Sequence, residues 1–398
     1  MDIKLAGETI SQGELNSVGD WMKSGAQLTK GPATQQFEAE FAAQVGARRA
    51  VFVNSGSSAN LLAVAVAKES GRLKNLRALC PAVSWVTTVT PFLQLGFDVQ
   101  LVDADAEDLG VDLDDLESKI IDHDPSILIL VHVLGHANKM EKIVALCEKY
   151  GVFLIEDSCE ALGSTVPRGD WLGTLGDIGT YSFYYGHHIS TIEGGMTVTD
   201  SDDLYQLMLS LRSHGWARDI SEPRRNELAA QWNIDDFSNY YTFYFEGFNF
   251  RSTDLQAQLG ISQLKKISSI TDRREENFRL YQSLLPDYWS QRSDSGRTSS
   301  FAFGTFVEDR LSLWRELKSQ GIESRPLICG NIGRHPFWLR NHQAFSAPVA
   351  DLVHSTGIYL PNHVDLSFDD IQKICSVVDR FARPVDVGLH LANWRNSE

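Results

Sequence analysis

The chain has 398 residues, 43% of them hydrophobic and 22% charged, ordinary proportions for a globular protein with room for one large core and a smaller one. These values exclude a disordered chain, a collagen and a disulfide-stapled mini-protein. Lys and Arg total 36 against 52 Asp and Glu, a formal net charge of −16, which repels a phosphate backbone and argues against a nucleic-acid partner.

The N-terminal residues Met1-Asp2-Ile3-Lys4 lack the apolar stretch of a signal peptide. Pro32 to Val45 reads as a helix, with Pro32 in its first turn and Gly46 just past its end. Ala50–Val53 is a short buried strand, and Ala59–Glu69 an apolar helix. Its run from Leu61 to Ala67 stops at Lys68, far short of the roughly 20 residues a membrane span needs. The expectation is a cytoplasmic protein without a membrane partner. A strand at Ala78–Cys80, a helix near Thr87–Leu95 and a strand at Val99–Val102 follow. Ile127–Val131 and Val152–Ile155 read as central strands on either side of a helix at Met140–Tyr150. Continuous apolar strands separated by helices predict an α/β fold with a mostly parallel sheet covered on both faces.

The pattern changes near residue 220. Ser221 to Asn239 is charged, carries Pro223 and lacks clear periodicity, so it is expected to be a long loop. Ser252–Leu285 reads as a long helix with at most one break, leading to strands at Phe301–Val307, Ile322–Arg325 and Gly357–Leu360 in a smaller α+β unit. The expected division is residues 1–245 and 246–398. The five cysteines (Cys80, Cys147, Cys159, Cys329 and Cys375) form no C-x-x-C pair and are expected as free thiols.

Three segments carry chemistry. Asn54-Ser55-Gly56-Ser57-Ser58-Ala59-Asn60 follows a strand and opens a helix, where small residues, hydroxyls and unpaired N–H groups suit a phosphate, or simply cap the helix. Glu156-Asp157-Ser158-Cys159-Glu160 lies at the end of a central strand, the usual ligand edge of an open α/β sheet. There Asp157 can pair with a protonated ring nitrogen or cap the following turn. Ser182-Phe183-Tyr184-Tyr185-Gly186-His187-His188 runs into Glu193-Gly194-Gly195. Adjacent histidine side chains diverge and no third ligand is suitably spaced, so no metal site is expected.

In this order these segments resemble the sugar aminotransferase family (DegT/DnrJ/EryC1/StrS) of vitamin-B6 enzymes. Leu28-Thr29-Lys30-Gly31-Pro32, Pro81-Ala82-Val83-Ser84-Trp85 and Gly247-Phe248-Asn249-Phe250-Arg251 extend the likeness over nearly the whole chain. The resemblance implies the aspartate-aminotransferase-like fold, a large pyridoxal-phosphate (PLP) domain, a small C-terminal domain and a homodimer with shared active sites. It also implies cofactor contacts from Gly56, Ser57, Ser58, Trp85, Asp157, Glu160 and Ser182, with Asn249 contributed by the other subunit. His214, Arg218 and Arg251 would meet the substrate or a glutamate carboxylate.

One departure matters. The family pattern Ser-Phe-x-x-x-Lys places a cofactor-bonding lysine where this chain has His187. An imidazole forms no stable Schiff base, so the cofactor is expected to be held non-covalently, with no internal aldimine, and to favour its pyridoxamine (PMP) form. His187 would instead move protons. This variant resembles the nucleotide-sugar 3-dehydratase branch of the family, which removes the C3 hydroxyl of a 4-keto-6-deoxyhexose and uses L-glutamate to regenerate PMP. A GDP-linked substrate is the expectation. A related branch adds a cysteine-bound iron–sulfur cluster, but no cysteine lies between Cys159 and Cys329, so no cluster is expected. A histidine-tolerant aminotransferase, a dehydratase for another nucleotide sugar and an inactive binding relative are the competing readings.

Overall fold

The structure, a computed structural model, describes residues 2–396. Met1, Ser397 and Glu398 lie outside the described residues. Seven strands form the main sheet: β1 (Arg49–Val53), β2 (Arg77–Pro81), β3 (Asp98–Val102), β4 (Ile127–Val131), β5 (Phe153–Asp157), β6 (Ile178–Ser182) and β7 (Gly195–Thr199). Their spatial order is β1-β7-β6-β5-β4-β2-β3. The pairs from β6 through β3 are parallel, whereas β7 runs antiparallel to both β6 and β1. The sheet is mostly parallel, as the sequence predicts.

Alternation along the central strands explains why they read as unbroken apolar runs. Ile127, Ile129 and Val131 of β4 face one core with the helix Gly56–Glu69, while Leu128 and Leu130 face another with the helix Met140–Tyr150. A third cluster sits beside β6 and β7, where Phe37, Phe41, Phe52 and Phe183 pack edge-on or tilted with centroids 4.9–6.2 Å apart.

The smaller sheet has the order β8-β10-β9, from β8 (Phe303–Phe306), β9 (Arg325–Pro326) and β10 (Gly357–Leu360). It shares a core with the helices Arg310–Ser319 and Phe368–Phe381. The Ser252–Leu285 segment breaks once, into helices Asp254–Leu264 and Ile267–Leu284. The first of these packs Ala257, Ile261 and Leu264 into the aromatic cluster around Phe37. Gly260 makes that approach possible, since a Cβ there would lie 2.5 Å from the Phe37 ring.

Asp254 also caps a distant helix. Its carboxylate accepts hydrogen bonds from the backbone N–H groups of Gly31 (2.7 Å), Ala33 (3.0 Å) and Thr34 (2.9 Å). The helix Pro32–Val45 has Gly31 at its N-cap and no side-chain cap of its own there, so Asp254 satisfies its orphan donors.

The loop expected at Ser221–Asn239 is corrected: the segment holds helices Glu222–Trp232 and Asp236–Asn239. Pro223 lies in the first turn, where its missing N–H costs nothing. Arg225, Leu228 and Ala229 form the buried face, and Asp235 caps the second helix through the N–H groups of Phe237 and Ser238.

Candidate active site

Asp157 ends β5 opposite Thr180 of β6, and Ser182 ends β6 two residues further on, so both stand at the ligand edge of the sheet. The turn after β1 brings the helix Gly56–Glu69 to the same edge. Ser55 caps it, its Oγ accepting from Ser58 N–H at 3.0 Å. Gly56 meets Ser182 so closely that a Cβ would sit 2.6 Å from the serine Cβ. The approach points a helix N-terminus, with its positive dipole end, at the mouth of β6.

Asp157 is 3% exposed. Its Oδ2 accepts from Asn60 Nδ2 at 2.7 Å and from Thr88 Oγ1 at 2.8 Å, and its Oδ1 accepts from Cys159 N–H at 3.2 Å. Asn60 is itself oriented by Thr180, whose hydroxyl donates to Asn60 Oδ1 at 2.6 Å. These partners are all neutral donors, and Asp157 lines a cavity of about 630 Å³.

The histidines separate. His187 lines this cavity, and its Nδ1 lies 2.7 Å from the carbonyl oxygen of Cys159. A carbonyl only accepts, so Nδ1 carries the proton and Nε2 the lone pair. Burial lowers the His187 pKa to about 4, aided by the charge of Arg274 and opposed by the Cys159 carbonyl and Asp157. His188 is buried and turned away, with Nε2 2.9 Å from the carbonyl of Ser299. Glu160 also lines the cavity and accepts from Leu134 N–H at 2.9 Å. Burial raises its pKa to about 8, with Asp157 adding to the rise and the Leu134 N–H opposing it.

Gly56, Ser57, Trp85, Asp157, Glu160, Ser182 and His187 thus share one cavity wall. Ser57 Oγ lies 3.1 Å from Thr87 Oγ1, and the Trp85 ring is half exposed to the cavity. Ser58 sits behind that wall, its hydroxyl 2.9 Å from that of Ser55. The other four expected residues lie elsewhere. His214 Nε2 is 3.1 Å from Arg251 Nη2, Arg251 Nε donates to Asn249 Oδ1 at 3.1 Å, and Arg218 stacks over Trp216 at 5.3 Å. Sequence reasoning gave no role to Asn60, the last residue of its Asn54–Asn60 motif, and missed Thr88, the other side chain that holds Asp157; nor did it give a role to Lys4, Arg325 or Tyr359, which also line the cavity. Asn60, the one polar residue between Ala59 and Ala67, was the local signal.

Residues 8–379 match the DegT/DnrJ/EryC1/StrS aminotransferase family. The chain belongs to that family. GDP-4-keto-6-deoxy-D-mannose 3-dehydratase of Yersinia pseudotuberculosis is 33% identical over 394 residues, covering 96% of this chain and 99% of that protein. A crystal structure of GDP-4-keto-6-deoxymannose-3-dehydratase with a trapped PLP-glutamate geminal diamine superposes with TM-score 0.86 at 30% identity, over 94% of this chain and 100% of that one. GDP-perosamine synthase of Vibrio cholerae is 26% identical over 383 residues, 94% of this chain and 97% of that protein. The fold is the aminotransferase-like fold of this family. Among the described residues, no helix is long and apolar enough to cross a membrane.

Proposed function

We propose that this family member is a cytoplasmic nucleotide-sugar 3-dehydratase that works with PLP/PMP and L-glutamate and removes the C3 hydroxyl of a GDP-4-keto-6-deoxyhexose. The observation that carries the proposal is His187, in the family's lysine position, lining the same cavity as Asp157 and Ser182. The cavity fits the cofactor on its own terms. A buried carboxylate with only neutral partners suits a protonated pyridine nitrogen. The Gly56–Ser182 approach leaves a cradle of backbone N–H groups and hydroxyls for a phosphate. Trp85 offers an aromatic face for stacking.

When bound, the pyridoxamine form supplies an amine for the sugar ketone and a ring that absorbs an electron pair. Each protein group then has a task. Asp157 keeps the ring nitrogen protonated. His187, neutral and with Nε2 unprotonated, takes a proton beside the ring and returns one to the departing C3 hydroxyl. It has no side-chain amine with which to hold the cofactor covalently. Glu160, protonated near neutrality, offers an O–H donor.

The proposed active unit is a homodimer in which Asn249 reaches the neighbouring subunit's phosphate site. Arg251, two residues on, and His214 and Arg218 from the neighbouring segment serve the substrate. This accounts for four expected residues that lie off the cavity wall of their own chain. Division into a large unit, residues 1–245, and a small one, 246–398, is part of the same proposal.

The test is incubation with PLP, glutamate and GDP-4-keto-6-deoxymannose, following the 3-deoxy ketosugar and 2-oxoglutarate. CDP- and dTDP-linked sugars run in parallel decide the base. A 4-amino sugar as the main product favours the aminotransferase reading, which the likeness to GDP-perosamine synthase keeps open.

A further inference from the structure

Behind the cavity lies a buried charge that the proposed reaction does not use. Arg274, on the helix Ile267–Leu284, is 3% exposed. Its Nη1 donates to the backbone carbonyls of Ser300 (3.3 Å), Phe301 (2.9 Å) and Asn362, and its Nε is buried without a partner. No carboxylate among the described residues pairs with it. A buried guanidinium without a counter-ion is costly, and carbonyl dipoles offset only part of that cost.

Its surroundings point to the candidate site. The Phe301 ring lies 5.8 Å from the guanidinium carbon and 5.2 Å from the His187 ring. The same ring is 5.8 Å from His188, whose Nε2 is fixed to the carbonyl of Ser299. Residues 299–301 therefore touch Arg274 through the Ser300 and Phe301 carbonyls, and both histidines through the Ser299 carbonyl and the Phe301 ring.

We propose that Arg274 is a positioning residue for His187: its buried positive charge, set against the Phe301 ring that also touches His187, adds to the effect of burial in keeping the imidazole neutral. This rests on His187 being the proton-transfer group. A cation nearby disfavours the imidazolium, so the base form persists at pH values where an ordinary histidine is charged. The other groups facing His187 do not do this. Asp157 pulls the opposite way, and Cys159 presents a carbonyl that also favours the charged ring. Glu160, Glu323, Arg325 and Tyr359 line the same cavity, and Tyr184 and His188 lie on the same loop as His187.

The test is the titration of His187 by NMR in protein carrying ¹³C-labelled histidine, assigned with His187→Asn and measured without cofactor or substrate. In Arg274→Gln the His187 pKa is expected to rise by about one unit, the scale of one charge acting through a poorly polarisable interior. Arg274→Lys, which keeps the charge, is expected to leave it in place. If Arg274→Gln does not fold, Arg274→Met removes the charge while keeping an unbranched side chain of similar length. No rise in a neutral variant, an equal rise in the Lys variant, or a parent pKa at or above 6.5 each overturns the proposal. Because the titration needs no turnover, a protein that shows the shift but forms no 3-deoxysugar defeats the dehydratase reading alone. If both hold, the acid limb of kcat/KM moves to higher pH in the neutral variant by the same interval.

Discussion

His187 Nδ1 lies 2.7 Å from the carbonyl of Cys159, while His188 Nε2 lies 2.9 Å from the carbonyl of Ser299. Two neighbouring imidazoles are thus fixed through opposite nitrogens. His187 keeps Nε2 free as a base, and His188 keeps Nδ1 without a partner in the interior.

The two histidines should respond differently to the same substitution. His187→Asn is expected to retain the fold and lower turnover by roughly 10²–10⁴-fold, the usual worth of one positioned acid–base group. His188→Asn leaves the buried Ser299 carbonyl poorly matched, costing about 1–3 kcal/mol of stability with a smaller effect on turnover. Kinetics and thermal melts on both variants separate these outcomes; the reverse pattern defeats the assignment of His187.

His187→Lys is expected to bind PLP covalently and to suppress dehydration, because it restores the amine that the parent lacks at this position. Mass spectrometry after borohydride reduction reads the bond: an adduct in the variant and none in the parent. A variant that dehydrates as fast as the parent shows that residue 187 does not decide the reaction.

Glu160 sets an alkaline limit. Burial is the main cause that raises its pKa to about 8 from an ordinary 4.5, so between those values the folded protein holds a proton that the unfolded chain has lost. Its contribution to stability is therefore present at low pH and fades as pH rises toward 8. Glu160→Gln, a permanently neutral isostere, should flatten the loss of stability across that window. Denaturation midpoints at pH 5, 7 and 9 check the sign. Equal pH slopes in parent and variant would remove Glu160 from the account.

Shared sites in a dimer predict complementation. A His187→Asn subunit and an Asn249→Asp subunit should each be poorly active alone. In a 1:1 mixture of reassorted dimers, half are mixed and each mixed dimer has one intact site, giving roughly a quarter of parental activity. No recovery after subunit exchange, verified by differently tagged chains, rules out Asn249 acting across the interface.

What could be read from the sequence follows how local each signal is. The helix Pro32–Val45 carries its own boundary residues, and the strands β4 and β5 announce themselves by unbroken apolar runs. Asp157, Ser182 and His187 stand at strand ends or at a fixed spacing from one, so their meeting in one cavity was legible. The helix Glu222–Trp232 was not, because a polar, weakly periodic segment with Pro223 looks like a loop until its burial of Leu228 and Ala229 is known. The network that holds Asp157 joins Asn60, Thr88 and Thr180 from three separate elements, and no local pattern reports such a meeting. The same holds for Arg325 and Tyr359, which reach the cavity from the smaller sheet.

The cap that Asp254 supplies has a consequence for the order in which the protein is made. The helix Pro32–Val45 emerges early from the ribosome, yet the carboxylate that satisfies its first N–H groups belongs to a residue translated more than 200 positions later. Until then its N-terminus must be hydrated or fray, and the Phe37 side chain waits for Gly260 on the same late helix. The aromatic cluster beside β6 and β7 therefore closes only after most of the chain has been synthesised, and a nascent chain halted before residue 254 should display it to chaperones.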